Sequence, residues 1–170
     1  MKKIFLTIAL LIVSGVIAIA QTSIQKSKMG PLMIMEGQWK GNGWVKSRDQ
    51  QMHQFHQEEI IETKLDDLLI TVHGQGFDAD SNEKTYEAYG VLSYAPDEQQ
   101  YIFNAYTMEG EYAQASATFK DNTLIWWFEI PHGTIQYEIK LTENQWIEDG
   151  YYISADKQKF PFFHMELQKE

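Results

Sequence analysis

Apolar and polar residues alternate along several short segments in the second half of the chain. Ile135, Tyr137, Ile139 and Leu141 share one side of such a segment, with polar residues between them. An alternation with a period of two predicts a β-strand that buries one face. Residues 124–130 carry large apolar side chains on both faces. This predicts a strand with one face toward the interior and the other face covered by a cap or a partner.

Clusters of turn-forming residues divide the chain at regular intervals, and the segments between them are rich in β-branched and aromatic residues. This pattern predicts about ten strands joined by tight hairpins in an up-and-down antiparallel meander. A sheet of that size rarely stays open, so we expect a closed barrel with room inside for a small ligand. The turn clusters lie at residues 47–49, 66–67, 78–82, 95–97, 108–110, 121–122, 131–133, 143–144 and 155–157.

The barrel domain is predicted to span residues 35–170 and to begin with a glycine-rich strand. Gly37, Gly41 and Gly43 suit a strand that bends sharply and lets a neighbouring backbone come close. Trp39 is then the large plug that closes one end. The methionine-rich residues 29–35 are predicted to form a short helical turn that caps the barrel, rather than a metal site.

The first twenty residues have the pattern of a cleaved signal peptide. Lys2 and Lys3 precede an almost wholly apolar run at 4–19, and residues 18–20 form a small-x-small cleavage site. An uncleaved anchor is the alternative, but the run is short for a membrane span. We therefore expect an exported protein, periplasmic or extracellular, with residues 21–34 as a flexible lead-in and cap.

The net charge excludes some partners. The full chain carries −10, and removal of Lys2 and Lys3 with the signal peptide makes the mature chain −12. Without a basic stripe, binding to nucleic acids or to anionic membrane surfaces is not expected. The chain has no cysteine, which excludes disulfides, thiolate metal sites, a cysteine nucleophile and a lipid-modified cysteine.

The histidines offer few candidates for chemistry. His53 and His56 lie three apart, so on a strand they point to opposite faces and make a poor metal pair. His164 lies in the last strand and has two possible orientations. If Phe163, Met165 and Leu167 face inward, His164 lies on the outer face. If Phe160 and Phe162 face inward instead, His164 could reach a bound ligand. The alternation favours the outer face.

The acidic residues suggest two further kinds of site, a calcium loop and a pair of catalytic carboxyl groups. Residues 78–82 resemble the start of a calcium loop, but Glu83 and Tyr89 stand where the loop needs glycine and glutamate. Two buried carboxyl groups could catalyse hydrolysis, although solvated outer faces are the simpler interpretation. The glutamates in question are Glu58, Glu59, Glu62, Glu129, Glu138 and Glu148.

Residues 36–43 resemble the G-x-W-x-G-x-G start of nitrobindin-like barrels and of the wider calycin (lipocalin-like) group. Four later segments are similar to an uncharacterised exported bacterial family of the same general shape: residues 89–94, 127–131, 146–150 and 162–167. Nitrobindins bind haem through a histidine near the end of the chain and act on peroxynitrite. The resemblance therefore implies His164 as a candidate axial ligand of haem.

The sequence favours a single all-β barrel that binds a small apolar or amphipathic molecule as a carrier or sensor, with no catalysis, cofactor or metal. Haem-dependent handling of reactive nitrogen species through His164 is the enzymatic alternative, and a structural or partner-binding domain with a filled core is another. The oligomeric state is open. The predicted ligand-binding wall consists of Trp39, Trp126, Trp127, Phe128, Tyr137 and Trp146.

Overall fold

The structure, a computed structural model, describes residues 22–47 and 49–170. The predicted signal peptide at 1–20 lies outside the described residues. In the described part of the chain, no helix is long and apolar enough to cross a membrane.

Ten antiparallel strands form one closed barrel, in which each strand pairs with its neighbours in sequence and β1 pairs with β10. This confirms the predicted all-β, up-and-down barrel. The strands are β1 (Gly37–Lys46), β2 (Met52–Lys64), β3 (Leu69–Asp78), β4 (Lys84–Ala95), β5 (Gln100–Thr107), β6 (Tyr112–Lys120), β7 (Thr123–Ile130), β8 (Gly133–Leu141), β9 (Gln145–Ser154) and β10 (Lys159–Lys169).

The predicted turn clusters fall at the connections between these strands. Several turn residues have backbone angles in the left-handed region, including Asp66, Asn82 and Asn122. Asparagine and aspartate tolerate this region better than other residues that carry a Cβ, which explains why they punctuate the chain. Because the chain runs up and down, the connections alternate between the two ends of the barrel.

Closure of the barrel depends on a close approach of β1 to β10. Gly41 pairs with Leu167, and a Cβ at Gly41 would lie 1.9 Å from the carbonyl oxygen of Glu166. At Gly43 the corresponding distance to the carbonyl oxygen of His164 is 2.4 Å. The prediction that these glycines admit a neighbouring backbone is therefore confirmed.

The N-terminal segment covers one end of the barrel. Residues 22–29 are α-helical and continue into a 3₁₀ helix, Gly30–Met35. The Tyr101 hydroxyl donates a hydrogen bond to the Lys28 carbonyl oxygen at 2.7 Å, and the Gln25 amide donates to the Tyr94 carbonyl oxygen at 3.2 Å. The side chains of this segment that are buried are Met29, Leu32 and Met35.

The predicted cap is thus present, and residues 22–28, for which the sequence predicts a flexible lead-in, belong to its helix. Their polar sequence has little intrinsic tendency to order. Contacts with the barrel hold the helix instead, through Gln25, through the Lys28 carbonyl and through an ion pair between Lys26 and Asp66.

Trp39 closes the capped end of the barrel, in agreement with its predicted position as a plug. Its side chain is fully buried, and its indole N–H donates to the Met35 carbonyl oxygen at 2.7 Å. Its ring meets Trp146 edge-on, with centroids 5.8 Å apart. Most fully buried side chains surround this plug, so the packed core occupies the capped half and leaves the other half for a cavity.

We expect Gly41→Ala to destabilise the protein by about 3 kcal/mol, because the added methyl group overlaps the β10 backbone and the strands must separate. Gly30→Ala is the matched control, since no atom lies within 4 Å of its added Cβ. Urea unfolding of both variants measures the difference. Equal stabilities would show that the close approach at Gly41 is not required.

Candidate ligand cavity with two buried carboxyl groups

The barrel encloses a cavity of about 570 Å³ between the Trp39 plug and the uncapped end. His53, Asp78 and Thr85 lie toward the uncapped end, where their strands begin or end. Met35 and Trp146 lie at the inner end, beside the plug. The wall is mainly apolar, and its aromatic members are Phe55, Tyr86, Phe103, Trp126, Tyr137, Trp146, Phe162 and Phe163.

An aromatic cluster forms one side of this cavity. Trp126 and Tyr137 lie opposite each other on β7 and β8, and their rings stack with centroids 4.1 Å apart. Phe103 meets Trp126 edge-on at 5.3 Å, and Phe162 and Phe163 each meet Tyr137 at 5.7 Å. Such mutual packing fixes the rings in place and gives the cavity a preformed flat wall.

A β-bulge in β10 explains why two consecutive phenylalanines face the cavity. The pairing with β9 shifts between Pro161 and Phe163, leaving Phe162 as the extra residue. Phe162 and Phe163 therefore both line the cavity, and alternation resumes with Met165 inside and His164 outside. The two orientations of β10 that the sequence leaves open are in this way combined in one strand.

Glu59 of β2 points its carboxyl group into the cavity. Its side chain is 7% exposed, and its Oε1 accepts a hydrogen bond of 2.7 Å from the amide of Gln57. The other oxygen, Oε2, is buried and has no hydrogen-bond partner in the described structure. Gly74 faces this carboxyl group, where a Cβ would lie 2.6 Å from Oε1, so glycine provides the room that the carboxyl group occupies.

Glu148 of β9 is the second buried carboxyl group in the same cavity. It is 6% exposed, and its Oε2 accepts a hydrogen bond of 3.1 Å from the indole N–H of Trp146. Only β1 and β10 separate β2 from β9 in the closed sheet. Glu59 and Glu148 therefore approach the inner end of the cavity from neighbouring parts of the wall.

Burial makes both carboxyl groups hold protons more tightly than usual. Desolvation raises the pKa of Glu59 to about 7, against a weaker opposing effect of the Gln57 hydrogen bond. Desolvation, and next the negative charge of Glu59, raise the pKa of Glu148 to about 8. None of the described residues that line the cavity is lysine or arginine. The pair can thus hold or release a proton near neutral pH and can accept hydrogen bonds from a ligand.

The structure places the six predicted wall residues differently from one another. Trp126, Tyr137 and Trp146 line the cavity, whereas Trp39 lies behind Trp146 as the plug. The remaining two are not among the described lining residues. Phe128 stacks on Trp126 with centroids 6.3 Å apart, and Trp127 pairs with Ser116 and Gln136 on the outer face.

His164 does not reach the cavity, so it does not fit the haem-ligating position that the resemblance implies. Its ring stacks on Trp44 with centroids 6.0 Å apart. Its Nδ1 lies 2.8 Å from the Asp149 carboxylate, and its Nε2 lies 3.4 Å from that of Glu166. Of the five histidines, all of which the structure describes, His53 alone is among the lining residues.

Glu59 and Glu148 are the site residues that sequence reasoning missed, since it preferred solvated outer faces for the acidic residues. That preference is wrong for these two. The signal was present in the alternation: Glu148 is two residues from Trp146, and Glu59 is two residues from Ile61, so each shares the inward face. Polar inward residues such as His53 and Gln57 obscured this pattern in β2.

Comparisons with known proteins bear on the fold. No protein-family model matches the chain, and no curated protein matches it. The solved structures similar to it include that of Rv2717c from M. tuberculosis, with a TM-score of 0.63 and 9% identity over 84% of this chain and 97% of the other. They also include that of the S-type phycobiliprotein lyase CPES from Guillardia theta, with a TM-score of 0.58 and 12% identity over 81% of this chain and 88% of the other.

These similarities and the ten-stranded barrel establish a lipocalin-like barrel fold. The more specific resemblances, to nitrobindins and to the uncharacterised exported family, stay predictions.

The carboxyl pair predicts an unusual pH dependence of stability. In an unfolded chain these groups titrate near 4.5, so between that pH and about pH 7 to 8 the folded protein binds more protons than the unfolded chain. The free energy of unfolding therefore falls as pH rises through this window. Relative to a Glu59→Gln/Glu148→Gln variant, we expect the wild type to lose on the order of 5 kcal/mol between about pH 5.5 and about pH 8.5.

Urea unfolding at the two pH values measures this loss. Glu58→Gln is the control, because it removes the same charge from the neighbouring, partly exposed position on β2. It should leave the pH dependence unchanged. Parallel pH profiles for the wild type and the double variant would contradict the prediction.

Proposed function

We propose that the protein binds one small amphipathic organic molecule inside the barrel, as a carrier or sensor that does not transform it. One observation carries this proposal: a cavity with an apolar aromatic wall whose inner end holds a few convergent polar groups. Ligand pockets in proteins typically have this composition, and the volume of about 570 Å³ falls within their usual range. Burial of ligand surface against the aromatic wall would supply most of the affinity.

The preformed cavity favours this function over a structural domain with a filled core. The side chains of the capped half pack as a continuous core, as a purely structural barrel would require throughout. In the other half, alanine occupies inward positions where larger residues would fill the space. These positions are Ala88 and Ala105.

Export remains part of the proposal and is supported by the sequence of residues 1–20. A basic start, an apolar run and the small-x-small pattern at 18–20 fit a secretory signal. A carrier or sensor outside the cytoplasm would encounter small molecules taken up from the medium. N-terminal sequencing of the protein recovered from its source would test the cleavage after Ala20.

Binding is tested with Nile red, an uncharged dye whose fluorescence increases in apolar surroundings. We expect the wild type to bind it at a single site. We expect Ala105→Trp to weaken binding about tenfold or more, because the added indole would occupy the cavity that Ala105 lines. Fluorescence titration measures both affinities.

Thr118→Trp is the matched control, since it adds the same side chain to an exposed position on β6. It should bind the dye with about the wild-type affinity. Equal binding by all three proteins would place the dye on the surface and contradict the proposal. Organic extraction of the purified protein, followed by mass spectrometry, would then identify any molecule that the barrel carries.

Haem binding through His164 is the alternative function that the sequence resemblance implies. Because His164 lies on the outer face and contacts Asp149, we expect hemin titrations of the wild type and of His164→Ala to give the same absorption spectra. Phe160→Ala, a change at another exposed β10 position, is the control for non-specific adsorption. A stoichiometric Soret shift that only His164→Ala loses would contradict this expectation.

A further inference from the structure

We propose that the ligand carries a protonated aliphatic amine on an apolar body, and that Glu59 and Glu148 bind its ammonium group at the inner end of the cavity. This inference rests on the proposed function and specifies its ligand class. It starts from two carboxyl groups for which the described wall supplies no cationic partner.

The two carboxyl groups lack a balancing positive charge among the described lining residues. Glu59 and Glu148 are each more than nine-tenths buried, and a buried carboxylate without a cation is costly. Elsewhere in the barrel, acidic side chains such as Glu58, Glu87 and Glu138 lie near lysine. In the cavity, a cation brought by a ligand would supply the missing charge.

The carboxyl group of Glu59 has one oxygen left for a ligand. This oxygen, Oε2, is buried and accepts no hydrogen bond from the described residues, whereas Oε1 accepts one of 2.7 Å from Gln57. Gln57 thereby orients the carboxyl group and leaves one oxygen for another donor. An ammonium group offers three N–H donors, enough to satisfy this oxygen and to reach Glu148 as well.

The arrangement of the wall gives the ligand an orientation. The carboxyl groups lie toward the plug, and Phe55, Phe162 and Phe163 lie nearer the uncapped end. An amphipathic amine would enter with its charged group first and bury its apolar body against these rings.

The same features disfavour other head groups. Where the two carboxyl groups are ionised they would repel an anion, which would also find no lysine or arginine among the described lining residues. The mature chain has a predicted net charge of −12, which raises the local concentration of cations and lowers that of anions. An uncharged alcohol could donate only one hydrogen bond and would leave the charge unbalanced.

Displacement of Nile red by three compounds with the same chain tests the inference: octylamine, 1-octanol and octanoate. Dye binding itself reports on the proposed function, whereas the ranking of the three competitors reports on the ligand class. We expect octylamine to displace the dye at a concentration about tenfold or more below those of the other two at about pH 8.

Glu59→Gln and Glu148→Gln test the two residues. Each keeps the size of the side chain and an oxygen that can accept the existing hydrogen bond, so both variants are expected to fold, which circular dichroism would verify. Each should weaken octylamine binding about tenfold and change 1-octanol binding by less than about threefold. Glu58→Gln, the control for net charge, should retain the preference for the amine.

The pH dependence gives an independent readout. The titratable side chains that line the cavity are His53, Glu59, Asp78, Tyr86, Tyr137 and Glu148. Because an ammonium group binds the ionised carboxylates, octylamine affinity should rise from about pH 6 to about pH 8.5, with release of protons measurable by calorimetry in buffers of different ionisation enthalpy. The slope should be lost in Glu59→Gln/Glu148→Gln.

The outcomes separate the two proposals. Equal displacement by the three compounds, or tighter binding of octanoate, would overturn the amine inference and leave the binding function standing. An amine preference that persists in both glutamine variants would overturn the assignment to Glu59 and Glu148. If the wild type binds neither Nile red nor octylamine, both proposals are overturned.

Discussion

The pairing of β1 with β10 is the constraint on which the rest of the structure depends. Without it, the meander is an open sheet with two unprotected edges and no enclosed space. The pairing brings the two backbones so close that Gly41 has no room for a Cβ. Closure also fixes which residues face inward on all ten strands, because alternation then has an inside and an outside. The cavity and its carboxyl groups follow from that single contact.

Closure divides the interior into two halves with different packing. At the capped end, Trp39 and the helical residues 22–35 fill the space with apolar side chains. Toward the other end, Ala88 on β4 and Ala105 on β5 leave space unfilled. The packed half supplies stability, so the unfilled half can keep an open cavity and two poorly solvated carboxyl groups. This division makes a rigid scaffold compatible with a binding site.

The sequence predicted the fold well because the fold is encoded locally. Turn residues such as Asn82 and Asn122 mark the hairpins, and alternation in β7 and β8 marks the strands. The site was harder to predict because its determinants are not local. The bulge at Phe162 comes from pairing with β9, so no inspection of β10 alone could show that Phe162 and Phe163 both face inward. The helix at 22–29 likewise depends on contacts with the barrel.

The two glutamates show how an ordinary preference conceals the residues of a candidate site. Acidic side chains usually belong on solvated faces, and in a chain of this charge that rule explains most of them. Glu148 nevertheless shares the inward face with Trp146, whose indole N–H bonds to it. Two carboxyl groups on the inward face cost stability wherever they are ionised, and packing alone gives no reason to keep them there. A ligand that neutralises them would turn this cost into selectivity, since a molecule without a positive charge could not offset it.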